Sequence, residues 1–361
     1  MLGLIADDLT GAGDASVQFA KRGWRTVVSW GLTPALIQGS DPDVVAVTTD
    51  CRALSNDAAE KLTADALTAL MHAGAERVFL KIDSTMRGSV PGQIAGALAA
   101  WRTRHAAARA VVCPAYPRMG RTVESHQVLV HGEPVHRTSI GRDPVTPVKT
   151  SSMSDLIPSS PMIQIVDAVT DADLLQIAES ISASGPSVMP VGSGGLAEAF
   201  AATVTLGSVR SQASRDLQRD RDLIPRRKNS RILLQVSSLN PVSHAQVVRV
   251  KATFPDVVVL LPPTERGDRV AVAANLAREF AEQVAREEWD ILGLVGGDGA
   301  RETLARLGAS GIRIVDSLVE GIPLGVVVGG VADGTPVFTK AGGFGAEDAL
   351  VQCVERMTRD A

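Results

Sequence analysis

The chain has 361 residues, which exceeds the usual size of one domain and predicts two. With 36 basic and 40 acidic side chains, its net charge of −4 argues against a broad nucleic-acid surface, so any anionic ligand needs a local site. The N-terminus lacks the basic region of a signal peptide, and no apolar stretch is long enough to span a membrane. Three distant cysteines without a CxxC pattern fit a reducing compartment. We therefore expect a cytoplasmic protein with no nucleic-acid or membrane partner.

Short β-rich runs alternate with longer Ala- and Leu-rich stretches along the first half of the chain. This alternation predicts a parallel sheet with crossover helices. The predicted strands are LGLIA (2–6), TVVSW (26–30), VVAVT (44–48), RVFLKI (77–82), ARAVVCP (108–114), IQIVDAV (163–169) and VMPVGS (188–193). The predicted helices include residues 12–23, 56–74, 171–184 and 194–204. For the helix at 56–74 we expect Asn56 as the N-cap and Gly74 as the glycine that ends it.

Residues 207–230 break this rhythm, because they are polar, rich in both charges and contain a proline. We interpret them as a linker between an N-terminal domain, 1–206, and a C-terminal domain, 231–361. The second half restarts the alternation with strands predicted at 231–238, 256–262, 290–297, 312–317 and 325–330, and a long helix at 269–289. The predicted fold class is therefore α/β, with two α/β domains, mainly parallel sheets and a cleft between the domains.

Charged side chains follow three of the predicted strands in the first half. Asp7 and Asp8 come directly after the first strand, and Arg52 follows another. The end of the next strand adds Lys81, Asp83, Ser84 and Arg87. The carboxyl ends of parallel strands are where open α/β sheets bind ligands, so these residues predict a site. The cations would bind a carboxylate and the aspartates would accept hydrogen bonds from hydroxyl groups. Helix capping by Asp8 and Asp83 is the alternative interpretation, but it leaves the cations unexplained.

Three glycine-bearing turns follow apolar stretches in the second half, at 236–241, 294–304 and 340–350. Glycine lets the backbone approach a phosphate, and a following helix offers unpaired N–H groups. None of the turns matches the P-loop pattern or a complete dinucleotide fingerprint, and one such turn alone is typical of an ordinary tight loop. Three in one domain favour phosphate binding.

These motifs together resemble the four-carbon acid sugar kinases, a family that includes D-threonate, D-erythronate and 3-oxo-tetronate kinases. The stretches that carry the resemblance, in order, are IADDLTGAGDA, KIDSTMRG, CPAYPRMGRTV, HGEPVHRTSIGRDPVTPV, VGSGGLAEAFA, GLVGGDGARETL and VFTKAGGFG. The resemblance implies an N-terminal substrate-binding domain, a C-terminal nucleotide-binding domain and ATP-dependent phosphorylation of a terminal hydroxyl of a small acid.

The charged residues at the strand ends and the resemblance together predict two sets of contacts. The expected contacts to the acid sugar are Asp7, Asp8, Arg52, Lys81, Ile82, Asp83, Ser84 and Arg87. The expected ATP contacts are Ser237, Ser238, Asn240, Gly296, Gly297, Asp298, Gly299, Gly342 and Gly343. We expect Arg52 with Lys81 or Arg87 to hold the carboxylate, and Asp8 or Asp83 to act as the catalytic base, with Mg²⁺ accompanying ATP and no protein-only metal site. The chain departs from the family pattern at Gly299, where the turn reads GGDG and lacks a hydroxyl.

Two other functions are compatible with the same motifs. An NAD-dependent oxidoreductase of small hydroxy acids would use glycine turns, but it needs an acidic ribose ligand about 20 residues further on, and none stands out. A non-catalytic acid-sugar sensor would keep the fold without the chemistry. The sequence is compatible with each of the tetronates as substrate, and with a monomer or a homo-oligomer.

Overall fold

The computed structural model describes residues 1–31, 41–204, 224, 230–262 and 269–358. By its contacts the chain divides into two compact units, one of residues 1–24 and 42–209 and the other of residues 25–41 and 210–361. Apart from Ile224 and Ser230, the linker proposed at 207–230 lies outside the described residues. Among the helices that the structure describes, none combines the length and the apolarity that a membrane crossing requires.

The strands are numbered in chain order. They are β1 (Leu2–Ala6), β2 (Thr26–Ser29), β3 (Val44–Thr48), β4 (Arg77–Lys81), β5 (Arg109–Cys113), β6 (Arg121–Glu124), β7 (Gln127–Val130), β8 (Glu133–Pro134), β9 (Ile163–Ile165), β10 (Val188–Gly192), β11 (Ile232–Val236), β12 (Val258–Leu260), β13 (Ile291–Val295), β14 (Gly311–Val319), β15 (Ile322–Val328) and β16 (Pro336–Lys340). The helices are α1 (Leu9–Ala20), α2 (Asn56–His72), α3 (Val90–Arg102), α4 (Met153–Leu156), α5 (Asp171–Ala183), α6 (Gly194–Thr203), α7 (Pro241–Thr253), α8 (Arg269–Arg286), α9 (Gly297–Arg306) and α10 (Ala349–Thr358). Short 3₁₀ turns cover Pro117–Met119, Val135–Arg137 and Ser139–Arg142.

The first unit is built on a parallel sheet with the strand order β3-β1-β4-β10-β5-β9. Its central strands are continuous apolar runs that are buried along their whole length, because helices cover both faces of a parallel sheet. A small antiparallel sheet, β6-β7-β8, is separate from it. The α/β class and the parallel sheet predicted from the alternation of strands and helices are confirmed.

The second unit has a mixed sheet with the order β12-β11-β13-β16-β15-β14-β2. The first four strands are parallel, and the last three are joined by antiparallel pairs. Its edge strand β2 comes from the N-terminal part of the chain and pairs with β14 through Ile312 and Val28. The run TVVSW therefore forms a strand as predicted, but it is a strand of the second unit. A short buried apolar run predicts a strand and says nothing of its partner.

One predicted helix cap is wrong by a residue. The hydroxyl of Ser55, not the side chain of Asn56, caps α2 by accepting a hydrogen bond from the amide of Ala58 at 3.3 Å. The Asn56 side chain instead accepts a hydrogen bond from the amide of Gly92 at 3.2 Å, in the neighbouring helix α3. Gly74 follows α2 with a φ of 99°, as expected of a glycine that ends a helix.

Candidate active site

The register of the first sheet brings the predicted charged segments together. Ala6, the last residue of β1, is opposite Thr48 of β3 on one side and Lys81 of β4 on the other. The chain therefore leaves the three strands at one edge of the sheet, and the loops that follow begin side by side. The three strand ends are therefore neighbours, and their polar side chains lie within contact distance.

Arg52 is the centre of the resulting ionic cluster. Its guanidinium makes a two-point ion pair with the fully buried carboxylate of Asp7, with Nε–Oδ2 at 2.7 Å and Nη2–Oδ1 at 2.8 Å. Its Nη1 lies 2.6 Å from Asp8 Oδ2, and Nη2 lies 3.8 Å from Asp83 Oδ2. Burial acts to lower the pKa of Arg52, but the three carboxylates raise it well above its usual value, so the guanidinium stays charged.

Asp7 and Asp8 are adjacent in the chain but differ in their surroundings. Asp7 has no solvent contact, and burial raises its pKa despite the two-point pair with Arg52. Asp8 is the N-cap of α1, and its Oδ1 accepts a hydrogen bond from the amide of Gly11 at 2.6 Å. Thr10 donates to its other oxygen at 3.1 Å. The Asp8 side chain keeps 16% of its surface exposed, so a ligand can still reach it.

The glycine at position 11 explains part of the motif IADDLTGAGDA. A Cβ on Gly11 would lie 2.6 Å from Asp8 Oδ1 and 3.4 Å from the ammonium nitrogen of Lys81. Any larger residue would therefore displace the Asp8 cap or approach the Lys81 ammonium. Gly88 has a similar role, because a Cβ there would lie 2.9 Å from the carbonyl oxygen of Arg52.

Asp83 is the most heavily bonded carboxylate of the cluster. It accepts hydrogen bonds from the amide of Thr85 at 2.9 Å, from the Thr85 hydroxyl, and from Arg87 Nη2 at 2.8 Å. Burial acts to raise its pKa, but Arg87 and Arg52 hold that pKa well below the usual range. Arg87 also reaches Asp143, with a nitrogen–oxygen distance of 3.6 Å. Asp83 is therefore a structural anion and a weak proton acceptor.

Lys81 is almost completely buried beside this cluster. Its ammonium donates to the carbonyl oxygen of Ile82 at 3.1 Å and lies 4.0 Å from the carboxylate of Asp14. The Asp14 carboxylate lies at the N-terminus of α6, where a Cβ on Gly194 would be only 2.4 Å from it. The partial positive charge of a helix N-terminus favours a carboxylate there. Ser84 is half-buried in the same turn, and the side chain of Ile82 is fully buried.

Arg121 is the cation that the sequence did not place in the site. It is the first residue of β6. The charges of Asp83 and Arg87 both shift the pKa of Arg121, so its guanidinium lies near these two side chains. Burial lowers the pKa of Arg121, and no carboxylate of the described residues lies within ion-pair distance of it. Its hydrogen bond goes to the carbonyl oxygen of Met119. Its sequence context, PRMGRT, gave no way to separate it from the neighbouring Arg118, which forms exposed pairs with Asp171 and Glu198.

The second unit brings together the glycine-bearing turns predicted for ATP. Val236 of β11 is opposite Val295 of β13, and Val295 is opposite Lys340 of β16, so the turns begin at neighbouring strand ends. The amide of Ser237 donates to the carbonyl oxygen of Val295 at 2.9 Å. The amide of Gly296 donates to the carbonyl oxygen of Lys340 at 2.8 Å. The turns therefore support one another through their backbones.

Glycine is required in these turns because neighbouring side chains occupy the space that a Cβ atom would need. A Cβ on Gly299 would lie 2.1 Å from the hydroxyl oxygen of Ser237, and one on Gly342 would lie 1.9 Å from that of Ser238. Gly343 faces Asn240 in the same way, at 2.9 Å from its Nδ2. The GGDG departure thus has a physical reason, because Ser237 occupies the space that a side chain at position 299 would need.

Two helices begin at these turns, and the second, α9, offers amides without a side-chain cap. Asn240 caps α7 by accepting a hydrogen bond from the amide of Val242 at 2.9 Å, and Pro241 occupies the first helical position. Gly296, with a φ of 106°, precedes α9, whose first turn contains Gly297 and the exposed carboxylate of Asp298. Helix N-termini of this kind favour phosphate groups.

The two halves match two domain models. Residues 2–161 match a sugar-binding N-terminal domain, and residues 261–350 match a nucleotide-binding C-terminal domain. The fold and its sites thus define a two-domain protein in which a sugar-binding half precedes a nucleotide-binding half.

Similar proteins cover nearly the whole chain. A D-threonate kinase from Bordetella bronchiseptica is 36% identical, with 98% of this chain and 96% of the relative covered. A D-erythronate kinase from Heliobacterium modesticaldum is 28% identical, with the same coverage. A crystal structure from Bordetella bronchiseptica, described as a domain-swapped dimer with bound citrate, is 32% identical over 100% of both chains, with a TM-score of 0.52. The chain belongs to the four-carbon acid sugar kinase family, which confirms the resemblance.

Proposed function

We propose that this protein transfers the γ-phosphoryl group of ATP to the terminal hydroxyl of a four-carbon sugar acid. The observation that carries the proposal is the 36% identity with a D-threonate kinase over 98% of the chain. The ionic cluster of the first unit and the glycine turns of the second unit supply the two kinds of site that this reaction needs. Nothing in either site favours NAD chemistry over phosphoryl transfer.

In this reaction the substrate hydroxyl oxygen forms a bond to the γ-phosphorus, and the bond from that phosphorus to the oxygen bridging it to the β-phosphate breaks. ADP leaves with the electron pair of the broken bond, and the hydroxyl proton goes to a carboxylate. Asp8 suits this last role better than Asp83. The oxygens of Asp83 are held by Thr85 and Arg87, and its lowered pKa makes it a poor base. The oxygens of Asp8 are also bonded, to Gly11, Thr10 and Arg52. The difference is exposure, because the Asp8 side chain keeps 16% of its surface exposed and Asp83 keeps 8%.

The substrate carboxylate needs a cation that is free to bind it. Arg52 and Arg87 already pair with aspartates, and Lys81 donates to a backbone carbonyl. Arg121 lies in the same electrostatic environment without a carboxylate partner among the described residues. We therefore assign the substrate carboxylate to Arg121, with the aspartates of the cluster accepting hydrogen bonds from the hydroxyl groups.

The turns of the second unit fit a triphosphate, because they present backbone amides and two helix N-termini around close-packed glycines. Over the described ranges, no His, Cys, Asp or Glu side chains are grouped in threes or more so as to hold a metal ion. Mg²⁺ usually binds through substrate phosphates and one or two carboxylates, and the exposed Asp298 fits that requirement. When bound, the ion would neutralise charge on the phosphates.

The proposal includes a cytoplasmic location and allows a homo-oligomer. Cys51, Cys113 and Cys353 are all free and buried, as expected in a reducing compartment. The domain-swapped dimer described for the Bordetella protein makes a second copy of this chain the first partner to look for.

The direct test is ADP release with D-threonate, D-erythronate and 3-oxo-tetronates, each in the presence of ATP and Mg²⁺. We expect turnover with at least one of them, and D-threonate is the first to try because of the identity with the D-threonate kinase. The negative control is NAD: its binding is monitored by the shift in melting temperature, and we expect no shift. ATP binding without ADP release on any acid of the panel would indicate a sensor and contradict the proposal.

Replacing Arg121 tests the assignment of the substrate carboxylate. We expect Arg121→Gln to raise KM for the acid about 10- to 100-fold, because a charge-assisted hydrogen bond is lost, with kcat and KM for ATP little changed. Arg118→Gln is the matched control, since Arg118 lies three positions away and its side chain is about half exposed. An unchanged KM in Arg121→Gln would contradict this assignment and show that another cation binds the substrate carboxylate.

A further inference from the structure

The loop at 341–346 in the second unit is held by its carbonyl groups. Lys340 donates from its ammonium nitrogen to the carbonyl oxygens of Ala341 at 2.8 Å and Gly342 at 3.1 Å. The hydroxyl of Ser243 donates to the same Gly342 oxygen at 2.5 Å. The side-chain amide of Gln246 donates to the carbonyl oxygens further along the loop, those of Phe344 at 3.1 Å, Gly345 at 3.4 Å and Ala346 at 2.7 Å.

The three side chains that hold the loop lie beneath it and are fully buried. Ser243 and Gln246 are three residues apart on α7, so they lie on one face of that helix. Lys340 is the last residue of β16. Burying polar side chains is costly unless their polar atoms are hydrogen-bonded. All three direct their donors at this one loop, while Gln246 Oε1 has no partner among the described residues.

Fixing a carbonyl group also fixes the amide that follows it. In a trans peptide the C=O and N–H bonds point in opposite directions, and the described residues contain no cis peptide. The carbonyls of Ala341 and Gly342 point to Lys340, so the amides of Gly342 and Gly343 point away from it. Neither amide has a hydrogen-bond acceptor within the described part of the chain. The two glycines lie against the turn at 236–241, because a Cβ on Gly342 would meet Ser238 and one on Gly343 would meet Asn240.

Lys340 also places a positive charge behind the loop. No carboxylate of the described residues forms an ion pair with it, and the thiol of Cys353 on α10 acts on its charge. Burial lowers the pKa of Lys340 to about 8 and raises the pKa of Cys353 to about 12, so the thiol stays neutral near pH 7. An anion bound on the outer side of the loop would supply the charge that balances the ammonium.

We propose that Lys340, Ser243 and Gln246 are positioning residues that turn the amides of Gly342 and Gly343 toward the triphosphate of ATP, with the ammonium of Lys340 adding attraction from behind. The inference rests on the proposed function, because it assumes that the loop binds a nucleotide. It assigns a role to three side chains that the sequence pattern did not single out.

The test is titration calorimetry of the full-length protein with the β,γ-imido analogue of ATP and Mg²⁺. At pH 7 we expect Lys340→Met to bind the analogue about tenfold or more weakly, while KM for the acid stays unchanged. If bound phosphates raise the pKa of Lys340 by about one unit, the charged ammonium strengthens binding about tenfold, and the variant loses that contribution. Lys251→Met, an exposed lysine on α7, is the control and should bind as the wild type does.

The pH dependence separates a charge effect from a packing effect. Nucleotide binding favours charged Lys340, so the wild-type advantage is complete below its pKa of about 8 and declines as pH rises above it. We expect the affinity ratio of wild type to Lys340→Met to be about threefold or more smaller at pH 9.5 than at pH 7. A ratio that does not change with pH would contradict the contribution of charge.

A milder variant covers the case in which Lys340→Met does not fold. Ser243→Ala removes one hydrogen bond to Gly342, and we expect about three- to tenfold weaker binding of the analogue with KM for the acid unchanged. If the variants bind within about twofold of a wild type that does bind, the positioning role is wrong and the proposed function stands. If the wild type itself does not bind the analogue, both are wrong.

Discussion

We expect Asp8→Asn to lower kcat about 10²- to 10⁴-fold, which is the usual contribution of a general base. Asparagine caps a helix as well as aspartate does, so the hydrogen bond from Gly11 and the start of α1 should be retained. Arg52 keeps its pairs with Asp7 and Asp83 but loses its ion pair with Asp8 Oδ2. The substitution therefore removes the proton acceptor and one of the three carboxylate partners of Arg52, and KM for the acid is measured beside kcat to separate the two effects. Steady-state kinetics with the acid identified in the ADP assay give the measurement.

The control for this variant is Asp57→Asn, the same change at an exposed position in the first turn of α2. It should leave kcat unchanged. Melting temperatures of both variants should stay near that of the wild type. A loss of less than about tenfold in Asp8→Asn would remove Asp8 as the base and leave it the role of aligning the substrate hydroxyl.

Asp83→Asn should have its largest effect on stability. The substitution places an amide where Arg87 and Thr85 donate, and it leaves the half-buried guanidinium of Arg87 without its closest carboxylate. Breaking a fully buried pair by removing one partner typically costs about 3–5 kcal/mol. Arg87 is partly exposed and keeps Asp143, so we expect the free energy of unfolding to fall by about 2–3 kcal/mol. Hydrogen exchange with mass spectrometry on peptides from residues 77–102, across a urea series, reports the first unit separately.

The matched control is Asp171→Asn, because Asp171 pairs with Arg118 at 3.1 Å while both side chains are about half exposed. An exposed pair contributes about 0–1 kcal/mol, so this variant should unfold almost as the wild type does. Equal losses of unfolding free energy in the two variants would show that the ion pair of Asp83 stabilises the fold no more than an exposed pair does.

The pH dependence of the Asp83 variant follows from the sign of the pKa shift. The folded-state pKa of Asp83 is lowered, so its stabilisation is fully present above the unfolded pKa of about 4 and is lost as pH falls through the folded pKa. The difference in unfolding free energy between wild type and Asp83→Asn should therefore be constant from about pH 5 to 8 and shrink below about pH 4. A difference that changes between pH 5 and 8 would point to another titrating group.

The sequence predicted much of this protein because several of its signals are local. An apolar run followed by IADD placed Asp7 and Asp8 at a strand end, and the structure has them after β1. The glycine-bearing turns were recognised because close packing around a turn admits only glycine, as Gly299 and Gly342 show. The ordered series of motifs led to the family that the comparisons then showed.

Other features depended on which distant segments meet, and local patterns do not encode that. The run that forms β2 predicted a strand, but its pairing with β14 assigns it to the second unit. The cations expected to bind the substrate carboxylate proved to be paired with aspartates, and this became visible only when the strand ends were brought together.

The sequence by itself determined the α/β class, the strand ends that carry the charged residues, the glycine turns and the family. Only the tertiary structure decided the partner of each cation, the isolation of Arg121 from carboxylates of the described residues, and the three donors under the loop at 341–346. The physical reason is that periodicity and turn composition report the burial and backbone shape of a local segment. Hydrogen bonds and ion pairs between side chains depend on contacts between residues far apart in the chain, as between Gln246 and Ala346.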